Sequence, residues 1–159
     1  FVAQAYTGTV LQFFETELAE VIALSFFIPM LIGTGGNAGS QVVMTLVRAM
    51  TLGEVRFRDL PRVVSKEFAT GLMLGITMAV ATFIRALMLD VGVDVGLVVA
   101  AAVTAIVVWA AVVGAILPMV LRQLKVDPTV VSAPFISTLV DGTGLLIYFT
   151  IARMVLRLG

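Results

Sequence analysis

The stretch Asp127-Pro128-Thr129-Val130-Val131-Ser132-Ala133-Pro134-Phe135-Ile136-Ser137-Thr138-Leu139-Val140-Asp141-Gly142-Thr143-Gly144, running on through Leu145-Leu146-Ile147-Tyr148-Phe149-Thr150-Ile151, decides the fold. Between Asp127 and Arg153 the only charged residue is Asp141. A run of that length and apolarity reads as a membrane-spanning helix, because about 20 residues cross a bilayer. Asp141 falls near the middle of the run. A charge at that depth costs at least about 2.5–3.5 kcal/mol on insertion scales. Such a residue points to a cation in a water-lined path.

Composition agrees with a lipid environment. Of 159 residues, 60% are hydrophobic and 13% charged, with a mean hydropathy of +1.13. Soluble domains carry about 25% charged residues. The formal net charge is zero, which gives no electrostatic footprint for nucleic acid. There is no Cys and no His. Thiol chemistry, disulfides and imidazole relays are therefore excluded, and a metal must be held by oxygen, which favours hard cations such as Mg²⁺ or Ca²⁺. No nucleophile–base pair suggests an enzyme. The chain starts at Phe1 with a short apolar stretch, read as the outer half of a truncated first helix within a longer protein.

Outward from the last span, the remaining ones follow in order. Glu15, Glu17 and Glu20 form an acidic turn after the first stretch. The second span runs from about Leu18 to Val47 and contains Pro29-Met30-Leu31-Ile32-Gly33-Thr34-Gly35-Gly36-Asn37-Ala38-Gly39-Ser40-Gln41. Pro29 is expected to free the carbonyl of Ser25. Gly35 and Gly39 form a GxxxG pair, which suits close helix packing. Asn37 and Gln41 share a face and either line a pore or bridge helices. Arg48, Arg56, Arg58, Arg62 and Lys66 mark the following connection as cytoplasmic.

The third span, about Phe68 to Leu89, carries a second GxxxG pair, Gly71 and Gly75, read as packing. Arg85 can snorkel outward. The short acidic loop from Asp90 to Asp94 suits the outer face. The fourth span is about Val95 to Leu121, with Trp109 read as a packing residue and Pro118 freeing the carbonyl of Gly114.

On the fifth span, read as starting at Asp127-Pro128, a step of about 100° per residue sets Asp141, Ser137, Pro134, Ala133 and Gly144 on one stripe. Pro134 would free the carbonyl of Val130 on that stripe, with Asp127 at its entrance. These oxygens form a ladder for a moving cation. The competing readings are a protonated or hydrogen-bonded structural acid at Asp141, back-bonded hydroxyls at Ser137 and Thr138, and an N-cap at Asp127. One chain supplies one midplane carboxylate. Two copies about a two-fold axis would place two on one path, and such dimers are the commonest symmetric assembly.

The Pro…Gly-Gly-Asn-x-Gly-x-Gln pattern of residues 29–41 resembles the signature of the MgtE family of magnesium transporters and channels. Asp127-Pro128…Pro134…Asp141-x-Thr143-Gly144-Leu145-Leu146-Ile147-Tyr148 resembles that family's last transmembrane helix. The resemblance covers nearly the whole chain. It implies an all-α integral membrane homodimer with five transmembrane helices per subunit, the first truncated here, and a pore at the subunit interface lined by the second and fifth helices. Gly36, Asn37, Gly39, Pro134 and Gly144 would then line the pore. Asp141 matches the family's pore aspartate, which holds Mg²⁺ largely through its water shell. Ala133, through its main-chain carbonyl, and Asp127 match further ion positions nearer the cytoplasm. Some members have Asn where this chain has Ala133, and Ser137 replaces what is often Ala. The family's cytosolic N and CBS domains are missing, so residues 1–159 are expected to be the pore domain alone, in the plasma or inner membrane.

The expected function is passive movement of hydrated Mg²⁺ down its gradient, with Asp141 as the ion-binding carboxylate. The same oxygen chemistry admits other hydrated divalent ions. The alternatives are a proton- or Na⁺-coupled exporter and a non-transport assembly subunit.

Overall fold

A computed structural model describes residues 2–15, 21–130 and 133–157. Among the described residues there are five α-helices: α1 (Val2–Phe13), α2 (Ile28–Thr51), α3 (Leu60–Met88), α4 (Val93–Gln123) and α5 (Ala133–Leu156). Short 3-10 turns at Ile22–Phe27, Phe57–Asp59 and Pro128–Val130 precede α2, α3 and α5. Four segments are long and apolar enough to cross a membrane: Ile22–Thr51, Phe57–Met88, Val93–Gln123 and Ala133–Leu156. The 12-residue α1 is too short to do so alone.

The α4 helix forms the centre, and its composition explains why. Its mean hydropathy of 2.6 is the highest of the four spans. A helix apolar on every side is stable only when other helices surround it or lipid does. Val98, Val99, Ala102, Val103, Ile106, Val107 and Ala110 are buried. The α3 helix packs on α4, α2 and α5 both pack on α4, and they also pack on each other.

Small residues set these approaches, since lipid gives no hydrophobic drive between helices. A Cβ on Gly75 would lie 2.9 Å from Cα and 3.1 Å from the carbonyl oxygen of Thr104. The Thr104 hydroxyl donates to the Gly75 carbonyl at 3.2 Å. The Gly71/Gly75 pair is thus a packing device, as expected. Gly75→Ala should destabilise the chain by about 1–3 kcal/mol, because backbone rather than a movable side chain blocks the methyl. Thermal unfolding in detergent measures this, and an unchanged midpoint would refute the contact. Gly114 does the same at the α2–α4 crossing, where its Cβ would come within 2.8 Å of the Gly39 carbonyl oxygen.

Polar ties join the helices elsewhere. The Arg122 guanidinium donates to the Met50 carbonyl at the end of α2. The buried Tyr148 hydroxyl donates to the Leu24 carbonyl at 3.0 Å. Trp109, read as a packing residue, also donates from its indole nitrogen to the Thr143 hydroxyl at 2.9 Å. The α1 helix lies along the second half of α5. The Tyr6 ring fills the space beside Gly142, and Phe14 stacks on Phe149 with centroids 4.6 Å apart.

Three boundaries differ from the sequence reading. The connection expected over residues 48–66 is helical at both ends, because α2 continues to Thr51 and α3 starts at Leu60. Gly53, at φ +76°, makes the left-handed turn between them, and Glu54 N–H closes on the Ala49 carbonyl at 3.0 Å. The second span is a 3-10 turn followed by α2, and Ile28 N–H donates to the Ser25 carbonyl, so Pro29 does not free it. Pro29 sits in the first turn of α2, where its missing N–H costs nothing. Glu17, Glu20 and the start of that span at Leu18 lie outside the described residues.

Candidate functional site

The fifth span also begins later than its sequence suggests. The α5 helix starts at Ala133, which puts Pro134 in the first turn, the position proline favours. Asp127 precedes the separate 3-10 turn Pro128–Val130, and its Oδ1 accepts the Thr129 N–H at 2.9 Å. That hydrogen bond holds the exposed carboxyl below the usual Asp range. Asp127 therefore caps a turn, the second of its two readings. The projected stripe is corrected accordingly. It begins at Ala133, because neither Asp127 nor the Val130 carbonyl belongs to the helix on which both were projected.

Asp141 stands about 12 Å along α5 from its start. Across the helix pair it stands beside Gly36 of α2. A Cβ on Gly36 would lie 2.5 Å from Ser137 Oγ and 3.4 Å from Asp141 Oδ1. Only hydrogen at that position leaves a notch where α2 and α5 can meet with Ser137 and Asp141 between them. Oδ1 of Asp141 is buried and accepts no hydrogen bond among the described residues. The residue as a whole is half-buried, so the notch opens on one side. The bare Oδ1 departs from a fully hydrogen-bonded structural acid, in which both carboxyl oxygens are paired.

The other glycines of the run have a different task. A Cβ on Gly35 would meet Ile106 at 2.6 Å and Val140 at 2.9 Å, and one on Gly39 would meet Ile136 at 2.8 Å and the Ala110 carbonyl at 3.4 Å. Both are buried contacts within the subunit. Gly144 likewise faces Ile106, at 3.5 Å. Gly39 and Gly144 were expected to line a pore. Within one subunit both positions are buried, Gly39 between α4 and α5 and Gly144 in ordinary contact with Ile106 of α4. Pro134 and Asn37 are exposed. Asn37 and Gln41 open onto a groove of about 400 Å³, shared with Thr34, Thr70 and Glu67.

The Ala133 carbonyl accepts a hydrogen bond from the Ser40 hydroxyl at 3.2 Å. Ser40 was not singled out from the sequence, although it falls one turn after Gly36 on the same side of α2. The signal was available: a hydroxyl at i+4 from the notch glycine must face the same neighbouring helix. Among the described residues no three His, Cys, Asp or Glu side chains converge. At the depth of Asp141, one chain presents one carboxylate.

Comparison with known proteins supplies the family. A family model described as "Divalent cation transporter" matches residues 28–151. The chain belongs to the MgtE family of divalent cation transporters. It is 43% identical over 151 residues to the magnesium transporter MgtE of Thermus thermophilus, covering 95% of this chain and 33% of the relative. The magnesium transporter MgtE of Bacillus subtilis is 35% identical over 146 residues, 92% of this chain and 32% of the relative. That of Enterococcus faecalis is 32% identical over 151 residues, with 95% and 33% covered. The chain thus spans about a third of the length of these relatives. The segment matched to the MgtE family runs from the start of α2 through most of α5, so Gly36, Ser137 and Asp141 all lie inside it.

Proposed function

We propose that this chain is the ion-conducting part of a Mg²⁺ channel in the plasma or inner membrane. Two copies about a two-fold axis bring their α2–α5 notches together on one path. The observation that carries this reading is the buried, unpartnered Oδ1 of Asp141 beside Gly36. An anionic oxygen held without a donor inside a span is costly unless a cation or its water visits it. The relatives, which are named magnesium transporters, support Mg²⁺ as that cation. Mg²⁺ gives up its water reluctantly, and a single carboxylate per chain suits an ion held through its hydration shell. Ser137 adds a hydroxyl one turn away. Ala133 offers its carbonyl where Ser40 already donates, so a hydrated ion would share that oxygen. Asp127 contributes charge at the entrance.

A membrane potential of 100 mV supplies about 4.6 kcal/mol to a divalent ion, so inward movement needs no further coupling. Purified protein in liposomes is expected to carry Mg²⁺ under an imposed potential, with flux unchanged when the pH gradient is collapsed. Flux that disappears with the pH gradient would replace the channel by a proton-coupled carrier. Absence of flux from an intact dimer would remove transport altogether.

A further inference from the structure

At the end of the bundle where α2 and α4 finish and α3 begins, the charges are uneven. Arg48, Arg56, Arg58, Arg62, Lys66, Arg122 and Lys125 gather there, against Glu54, Asp59, Glu67 and Asp127. Among the described residues the only ion pair at this end is Lys66 with Glu67, at 4.0 Å. Asp59 accepts the backbone N–H of Arg56 at 2.9 Å, and Asp127 accepts that of Thr129. These acids are thus engaged with backbone, not with the arginines.

Two of the arginines share a cavity of about 220 Å³. Arg56 and Arg122 line it with Gln123, Phe57, Met50 and Val55. Arg122 gives one hydrogen bond to the Met50 carbonyl, and among the described residues its other donors meet no acceptor. Arg56 brings a second guanidinium from the loop. Paired guanidinium forks match the geometry of a phosphate. A second cavity of about 300 Å³ shares Val55 in its wall and continues between α2 and α3. Val42, Leu46, Ala49 and Val63 line it, with Gln41, Thr45, Lys66 and Glu67 as its polar members. A cationic seat at the membrane surface thus adjoins a largely apolar slot. Phe57 is exposed beside it, at the depth where aromatic rings favour the interface.

We propose that Arg56 and Arg122 seat the phosphate of an anionic phospholipid, whose acyl chain enters the slot past Val55. The lipid would tie the α2–α3 loop to the end of α4. The site is separate from the Asp141 notch and does not depend on the transport reading.

The test is binding of phosphatidylglycerol to the detergent-purified protein, read by intact-complex mass spectrometry and by the shift in unfolding temperature. Wild type is expected to retain phosphatidylglycerol over phosphatidylcholine. Arg56→Gln and Arg122→Gln should each weaken it about fivefold. Arg58→Gln with Arg62→Gln, which removes two charges outside the cavity where each of those variants removes one, should still weaken it by less than either. Equal loss in that control pair would overturn the proposal in favour of diffuse surface attraction. Stabilisation by inorganic phosphate as large as that by phosphatidylglycerol would overturn the lipid as source. Equal retention of both lipids by wild type would overturn the site itself. Arg122 also holds the Met50 carbonyl, so if its variant does not fold, Arg56→Gln alone decides, since among the described residues no hydrogen bond joins the Arg56 guanidinium to another helix.

Discussion

Replacing Asp141 with Asn is expected to cut Mg²⁺ flux by about 100-fold or more while leaving the helices assembled and slightly more stable. The two halves of the result have opposite signs for one reason. A carboxylate about 5 Å from a divalent ion, the spacing one shared water sets, attracts it by about 6 kcal/mol at an effective dielectric of ~20. Loss of even half of that is a factor of about 100 in occupancy. Stability changes the other way because Asn fills the same volume without the charge. A charged Asp inside a span costs up to about 2.5–3.5 kcal/mol, and among the described residues Oδ1 has no donor to offset it. The unfolding midpoint should rise by about 2–4 °C. Radiotracer or dye-based flux in liposomes and thermal unfolding in detergent read the two effects. Unchanged flux would refute the assigned role, and lower stability would show that Asp141 is a structural acid after all.

Gly36→Ala should close the notch. The new methyl would stand 2.5 Å from Ser137 Oγ, inside any real contact, so α2 and α5 must part or the Ser137 hydroxyl must turn away. Overpacking of this kind costs about 1–3 kcal/mol, and the displacement falls on the carboxylate. Flux is expected to drop about tenfold. The informative variant is the double one, Gly36→Ala with Ser137→Ala. Removing Oγ clears the nearest atom, so stability should return to within about 0.5 kcal/mol of wild type, giving a coupling energy of at least 1 kcal/mol between the two sites. Additive effects in the cycle would show that residues 36 and 137 do not meet. A double variant that recovers stability but not flux would assign the Ser137 hydroxyl to the ion path.

Much of this site was legible before any coordinates. Asp141 stood out because it interrupts an uncharged run, and the glycine-rich run at 33–39 because so many glycines are unfavourable in an ordinary helix. The sequence did not say which glycine serves which purpose. Gly35, Gly36 and Gly39 lie within about 6 Å of helix axis, and their roles differ only through the direction each one faces. Two prolines also misled. Pro29 and Pro134 were read as breaks inside long helices, whereas each sits in a first turn after a 3-10 segment. Helix-wheel projection assumes continuous helix, so it carried Asp127 onto a face it does not share.

What the amino-acid sequence settled by itself was the environment and the element type: four helices able to span a membrane, basic residues gathered at one end, and an acid stranded in one span. Transfer into lipid is a property of each segment's own composition, so it can be read one helix at a time. Only the tertiary structure decided that Gly36 stands against Ser137 and Asp141 while Gly39 stands against Ile136 and Ala110. That choice depends on the rotation and crossing of two helices whose contacting residues are about a hundred positions apart in the chain, and no local pattern encodes such a rotation.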